Sequence, residues 1–251
     1  MAYYTYKSKK IYYEELGDGT PLLLLHGNTA SSKMFSEITQ QYMKDHKVVL
    51  IDFLGYGQSD HVNELSPDLW YDQAMQVITF LDVKGYERVN IIGTSGGAIT
   101  AINIALERPD LINKVIADSF EGIQANPAVT ASIIEGREMS KKNPGAQQFY
   151  EYMNGADWES VVDADTRAMV AHTKNIVQFF HKPLNELKTD LLLTGSREDE
   201  FFPGDYYDTL FSNILNQVEQ GKKHIFNHGG HPAMMSNQEE FIQLSNLFFA
   251  K

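Results

Sequence analysis

The chain repeats one unit: a short run of uninterrupted apolar residues, then a segment whose apolar positions follow helical spacing. The runs occupy residues 22–25, 48–51, 89–92, 115–117 and 191–193, each closing near a Gly, Asp or Thr. A strand with one wet face alternates polar and apolar residues, so an unbroken run of this length fits a strand covered on both sides. Helical patterns follow at 33–43, 67–83 and 98–106, the last stopping before Pro109. Strands alternating with helices predict a mostly parallel sheet with helices on both faces, an α/β fold.

Two further elements bring the expected strand count to eight. Tyr4, Tyr6, Ile11 and Tyr13 flank Lys9-Lys10 and precede the turn Gly17-Asp18-Gly19, which reads as an opening antiparallel hairpin. Residues 224–226 read as a last short strand, and residues 238–249 as a closing helix. Between 122 and 181 the alternation stops. Helical patterns at 127–142 and 158–175 fill that stretch, with Asn143-Pro144-Gly145 and Asn154-Gly155 read as breaks. The expected organisation is a core of residues 1–121 and 184–251 interrupted by a helical cap, 122–183. A chain of 251 residues buries enough surface for one such core.

Composition narrows the chemistry. Without cysteine there is no disulfide, thiolate nucleophile or cysteine-bound metal cluster, so any nucleophile is oxygen or nitrogen. A net charge of −12 with no dense basic block disfavours nucleic acid as a partner. The N-terminal Met1-Ala2-Tyr3-Tyr4-Thr5-Tyr6-Lys7 lacks the apolar core of a signal peptide, and no run of 18 apolar residues appears. The expectation is a cytoplasmic protein with neither membrane nor nucleic-acid partner.

Gly93-Thr94-Ser95-Gly96-Gly97 lies directly between a strand run and a helical run. A nucleophilic serine on so tight a strand-to-helix turn needs small residues two before and two after it, and Gly93 and Gly97 supply them. Serine is inert without a base. Of the clustered His224, His228 and His231, His231 in the loop His228-Gly229-Gly230-His231-Pro232 is the preferred base and His228 its competitor, while His224 at a strand start reads as core or solvated. The spacing of the three also suits metal ligands, but the Gly-Gly spacer and the lack of a helix there argue against a metal site. Three acids, Glu198, Asp199 and Glu200, follow the run 191–193, where loops leave the end of a buried strand. Asp199 is chosen to orient the base, with Glu198 the alternative. Backbone N–H groups of Asn28 and Gly96 are the expected oxyanion donors, and His26 is read as bracing its loop. Gly55 and Gly57 do not open a dinucleotide site, since position 60 is Asp instead of a third Gly, and no nucleotide cofactor or metal is expected.

His26-Gly27, the Asp52-Phe53-Leu54-Gly55-Tyr56-Gly57-Gln58-Ser59 loop, the Ser95 turn, the Asp199 loop and Gly230-His231 occur in an order that resembles the α/β-hydrolase fold family over nearly the whole chain. The resemblance implies eight strands, a helical cap between strands six and seven, and a cofactor-free Ser-His-Asp triad. Ser at the turn separates the chain from the haloalkane dehalogenases and epoxide hydrolases of that fold, which use Asp. A common pattern of the family places the acid where this chain has Glu198, and Pro203 fits the family spacing from Asp199, so a one-residue insertion reconciles the two. The expected function is hydrolysis of small to medium, largely apolar carboxylic esters. The alternatives are a peptidase, amidase or C–C bond hydrolase, or a small-molecule receptor on the same scaffold.

Overall fold

Every continuously apolar run forms a strand near the middle of a single sheet. The computed structural model describes residues 2–250. Its strands are β1 (Ala2–Tyr6), β2 (Lys9–Leu16), β3 (Thr20–Leu25), β4 (His46–Ile51), β5 (Val89–Thr94), β6 (Ile112–Asp118), β7 (Asp190–Ser196) and β8 (Gly221–Phe226), in the spatial order β1-β2-β4-β3-β5-β6-β7-β8. β2 is antiparallel to both neighbours, and all other pairings are parallel. Successive side chains of a strand point to opposite faces. Leu23, Leu25, Val49, Ile91, Val115 and Leu193 therefore join one buried cluster, while Leu22, Leu24, Val48, Ile92, Ile116 and Leu192 join the other.

Helices cover both faces. Helices α2 (Leu69–Lys84) and α3 (Gly96–Glu107) share the first cluster, and α1 (Ser36–Tyr42) shares the second. Three helices, α4 (Pro127–Ser140), α5 (Pro144–Asn154) and α6 (Trp158–Asn175), lie between β6 and β7 in the chain. Helices α7 (Tyr206–Leu215), α8 (Ala233–Ser236) and α9 (Gln238–Phe249) follow. No helix among the described residues is long and apolar enough to cross a membrane.

Besides the short helix α8, two elements differ from the sequence expectation. Asn143-Pro144-Gly145 does not only end a helix; it begins one. The Asn143 side chain accepts the N–H groups of Gly145 and Ala146, and Pro144 takes the first helical position, where a missing N–H costs nothing. Helix α7 was not expected, yet Tyr207, Phe211 and Ile214 repeat at i, i+4 and i+7 and are fully buried. Its pattern is short and abuts the charged acid loop, which hides it in the sequence.

The strand order places the site. β3 has β4 on one side and β5 on the other, so the chain reverses its winding direction there. The loops leaving the C-terminal ends of β3 and β5 diverge and open a crevice.

Candidate active site

Ser95 occupies the turn between β5 and α3 with φ 54° and ψ −124°, a backbone conformation that L-residues avoid. The turn closes because its flanking residues carry no side chain. A Cβ on Gly93 would stand 2.1 Å from the Gly97 carbonyl oxygen, and one on Gly97 would stand 2.2 Å from that of Leu25. The strain lifts Ser95 above the sheet, at the start of α3 and half-buried.

His231 arrives from the loop after β8 and Asp199 from the loop after β7. The Ser95 hydroxyl donates to His231 Nε2 at 3.1 Å, and His231 Nδ1–H donates to Asp199 Oδ2 at 2.9 Å. An ionised carboxylate only accepts, so it selects the Nδ1–H tautomer and leaves Nε2 free to receive a proton. Asp199 is completely enclosed, accepting also from Tyr207 Oη at 2.8 Å and the N–H groups of Phe201 and Phe202. Burial alone would raise its pKa, but the hydrogen bond and charge of His231, the Tyr207 hydroxyl and the Phe201 N–H together hold it below the usual carboxylate value. The Phe201 ring stands edge-on to His231 at 5.1 Å.

The two acids beside Asp199 serve the same loop. Glu198 accepts the Gly229 N–H and Glu200 accepts the His231 N–H, so all three carboxylates hold the base segment. His228 does not reach Ser95; its carbonyl accepts from Ser196 and Asn237. His224 sits 3.4 Å from Glu240 and packs on Phe226. His26 Nδ1–H donates to the Gly27 carbonyl at 2.8 Å, and its Nε2 accepts the Phe53 N–H at 3.1 Å, so the ring ties two loops together in its neutral form. Burial lowers its pKa accordingly.

The N–H groups of Asn28 and Gly96 donate to no protein acceptor among the described residues. The Asn28 side chain is spoken for: its Oδ1 accepts from Trp70 Nε1 at 3.1 Å, and its Nδ2 donates to Asp165 Oδ2 at 2.8 Å. Asp165, fully buried on α6, also accepts from Tyr56 Oη at 2.5 Å and pairs with Arg137 of α4 at 2.7 Å. This network was invisible in the sequence because its members come from five separate segments.

Another residue missed there is Asp118, fully buried at the end of β6. It accepts from Thr94 and Thr194 hydroxyls at 2.9 and 2.7 Å and from the Met234 N–H at 3.1 Å. It thus joins the strand before Ser95, the strand before Asp199 and the segment after His231. Burial pushes its pKa up to about 6, against those three hydrogen bonds and the nearby His231.

A cavity of about 250 Å³ opens over Ser95, Gly96 and His231. Ile99, Trp70, Phe201 and Phe202 line it from the core side, and Ile133, Tyr150 and Met169 from α4, α5 and α6. Of the aromatic and Met side chains in the inserted segment, only Tyr150 and Met169 line the cavity. Trp158 stacks on Tyr150, Phe179 packs against Trp70, Met153 is buried, and Phe149 and Tyr152 face solvent.

Comparison with known proteins agrees with the fold. The model of the α/β hydrolase fold family matches residues 20–144. The chain is a hydrolase of the α/β-hydrolase fold family. Over 96% of its length this hydrolase is 26% identical to a 2-hydroxy-6-oxononadienedioate/2-hydroxy-6-oxononatrienedioate hydrolase of Comamonas testosteroni, of which 91% is covered. A 2-hydroxy-6-oxo-6-phenylhexa-2,4-dienoate hydrolase of the same organism is 25% identical over 94% of this chain and 89% of its own. Among solved structures, Est816, described as an N-acyl homoserine lactone degrading enzyme, superposes with a TM-score of 0.78 at 19% identity, covering 98% of this hydrolase and all of that chain.

Proposed function

We propose that the protein is a cytoplasmic serine hydrolase that cleaves small, largely apolar carboxylic esters through an acyl-enzyme, with Ser95 as nucleophile, His231 as base and Asp199 as its orienting acid. The observation that carries the reading is the hydrogen-bonded line from Ser95 Oγ through the His231 ring to Asp199. In this reaction Ser95 Oγ attacks the ester carbonyl carbon as its proton passes to His231 Nε2. The carbonyl π electrons move onto oxygen, which the Asn28 and Gly96 N–H groups receive. When the tetrahedral intermediate collapses, the C–O bond to the alcohol breaks and His231 returns the proton to the departing alkoxide. Water then repeats the sequence on the acyl-enzyme, releasing the acid and restoring Ser95.

Helices α4–α6 act as the cap of this site. They supply one wall of a cavity whose volume of about 250 Å³ lies below the range typical of drug-sized ligands, which favours a short substrate.

A second reading has its own support. The Comamonas relatives are named for oxo-dienoate compounds that contain no ester or amide linkage, so their hydrolysis breaks a C–C bond. The same nucleophile and oxyanion donors serve a ketone carbonyl. Turnover of a 2-hydroxy-6-oxo-dienoate faster than that of any simple ester would replace the ester reading. The triad itself is tested with a fluorophosphonate probe. Wild-type protein is expected to label at Ser95, and Ser95→Ala to lose both the label and p-nitrophenyl butyrate turnover while melting as wild type. Persistent labelling of that variant would remove Ser95 from the mechanism.

A further inference from the structure

Among the charged side chains lining the cavity, Glu121 is not needed by the triad and has no cationic partner among the described residues. It follows β6 in the chain and lines the same cavity as Ser95 and His231. Its Oε1 accepts the N–H of Asn126, the residue that caps α4, while Oε2 has no hydrogen-bond partner among the described residues. No Lys or Arg among the described residues pairs with it. Arg137 is the one Lys or Arg lining the cavity, and its charge is already matched by Asp165 at 2.7 Å, with Thr166 accepting a hydrogen bond at 2.7 Å; His231 is engaged by Asp199. The cavity thus carries one acidic side chain whose charge no cation among the described residues balances.

The surroundings of Glu121 are aromatic. Tyr206 Oη donates to the Glu121 carbonyl at 2.6 Å, the Tyr206 ring stacks on Phe202 with centroids 4.8 Å apart, and Phe201 and Phe202 both line the cavity. A carboxylate and two aromatic rings lining one cavity match an organic ammonium, attracted by the carboxylate and by the negative ring faces together.

We propose that Glu121 determines specificity and that the cavity takes esters whose acyl or alcohol part carries an alkylammonium group, seated between the Glu121 carboxylate and the Phe201–Phe202 wall. This rests on the reading of the cavity as the substrate site of a serine hydrolase, and it names the class of substrate. Burial pushes the Glu121 carboxyl up to about 7, with only the Asn126 N–H opposing, a desolvation cost that a cation beside it relieves. The same acid repels a carboxylate placed in the cavity, which separates this site from one built for an oxo-dienoate.

The test compares three ligands of equal chain length, hexylammonium, 1-hexanol and hexanoate, by titration calorimetry at pH 8, where Glu121 is ionised and hexylammonium is charged. Expected is binding of hexylammonium at least about tenfold tighter than hexanol, with hexanoate weakest. Glu121→Gln keeps an acceptor for the Asn126 N–H, and is expected to bind hexanol as wild type does while losing about tenfold for hexylammonium. Hexanol or hexanoate binding wild type as tightly as hexylammonium would overturn the proposal, as would a Glu121→Gln variant with unchanged hexylammonium affinity. The hydrolytic reading is judged separately. Hexylammonium preference without fluorophosphonate labelling of Ser95 would leave a cation site in a protein that is not a serine hydrolase. Labelling without that preference would leave the hydrolase and remove the cation site.

Discussion

Three consecutive acids, Glu198, Asp199 and Glu200, meet the base loop at three different points, and only Asp199 meets the imidazole. Which carboxylate turns inward depends on a one-residue register that the composition of the run does not encode. The enclosed position of Asp199 predicts a sharp contrast. Asp199→Asn removes the acceptor that selects the Nδ1–H tautomer and should lower kcat by about 10³–10⁴. Glu198→Gln, which loses only the charge on one loop contact, should lower kcat less than about tenfold; steady-state kinetics on p-nitrophenyl butyrate separates the two. Asp118 supports a prediction with a definite sign. Its folded pKa of about 6 lies above the ordinary 3.8, so the folded state holds a proton that the unfolded chain has released between those values. Its contribution to stability is therefore fully present below pH 3.8 and falls as pH rises through 6, by an amount of about 3 kcal/mol. Asp118→Asn abolishes that dependence. The stability of wild type minus that of the variant, from urea unfolding, should decline between pH 4.5 and 7; a constant difference would show that Asp118 does not titrate there.

Helices α4–α6 are held to the core by polar side chains as much as by apolar packing. The Asn154 side chain donates to the Thr29 carbonyl at 2.8 Å and accepts the Gly57 N–H at 3.0 Å, pinning the end of α5 to two core loops. Asp165 anchors α6 to Asn28 and Tyr56 and carries the ion pair to Arg137 on α4. Removing one partner of a buried pair leaves the other charge uncompensated. Asp165→Ala removes both the acceptor for Asn28 and the charge opposite Arg137, and is expected to cost about 3 kcal/mol, seen as a fall in Tm of roughly 6–12 °C for a chain of this size. Because Asn28 loses its anchor, the variant should also label more slowly with fluorophosphonate below its Tm. Unchanged labelling would mean that Asn28 is held by Trp70 alone. The helices themselves were partly legible. Residues 158–175 show their bounds in the sequence, whereas α5 was obscured because Asn-Pro-Gly serves equally as a break and as a helix start.

At the scale of the whole molecule, the sheet provides the crevice and the inserted helices reduce it to a cavity. The cavity of about 250 Å³ predicts a length limit that neither layer alone would impose. Across p-nitrophenyl esters from C2 to C16, kcat/KM should peak between C2 and C6 and drop at least about tenfold by C12. A rise to the longest chains would mean that α4–α6 move aside in solution.

The sequence alone determined the sheet, its interior strands, the serine turn and the chain order of the serine, acid and histidine that the fold brings together. Those features are local: an apolar run, a pair of glycines and a loop after a strand are each encoded in a few adjacent residues. Tertiary structure decided what depends on several distant segments meeting at hydrogen-bond distance. That includes Asp199 over Glu198, the Asn28–Asp165–Arg137 network, the buried Asp118, and which inserted side chains reach the cavity. Hydrogen bonds and desolvation act over a few ångströms of space, whatever the separation along the chain. Glu121 could be read from the sequence as any exposed acid; only its place in the lining of the cavity, with Phe201 and Phe202, gives it a chemistry.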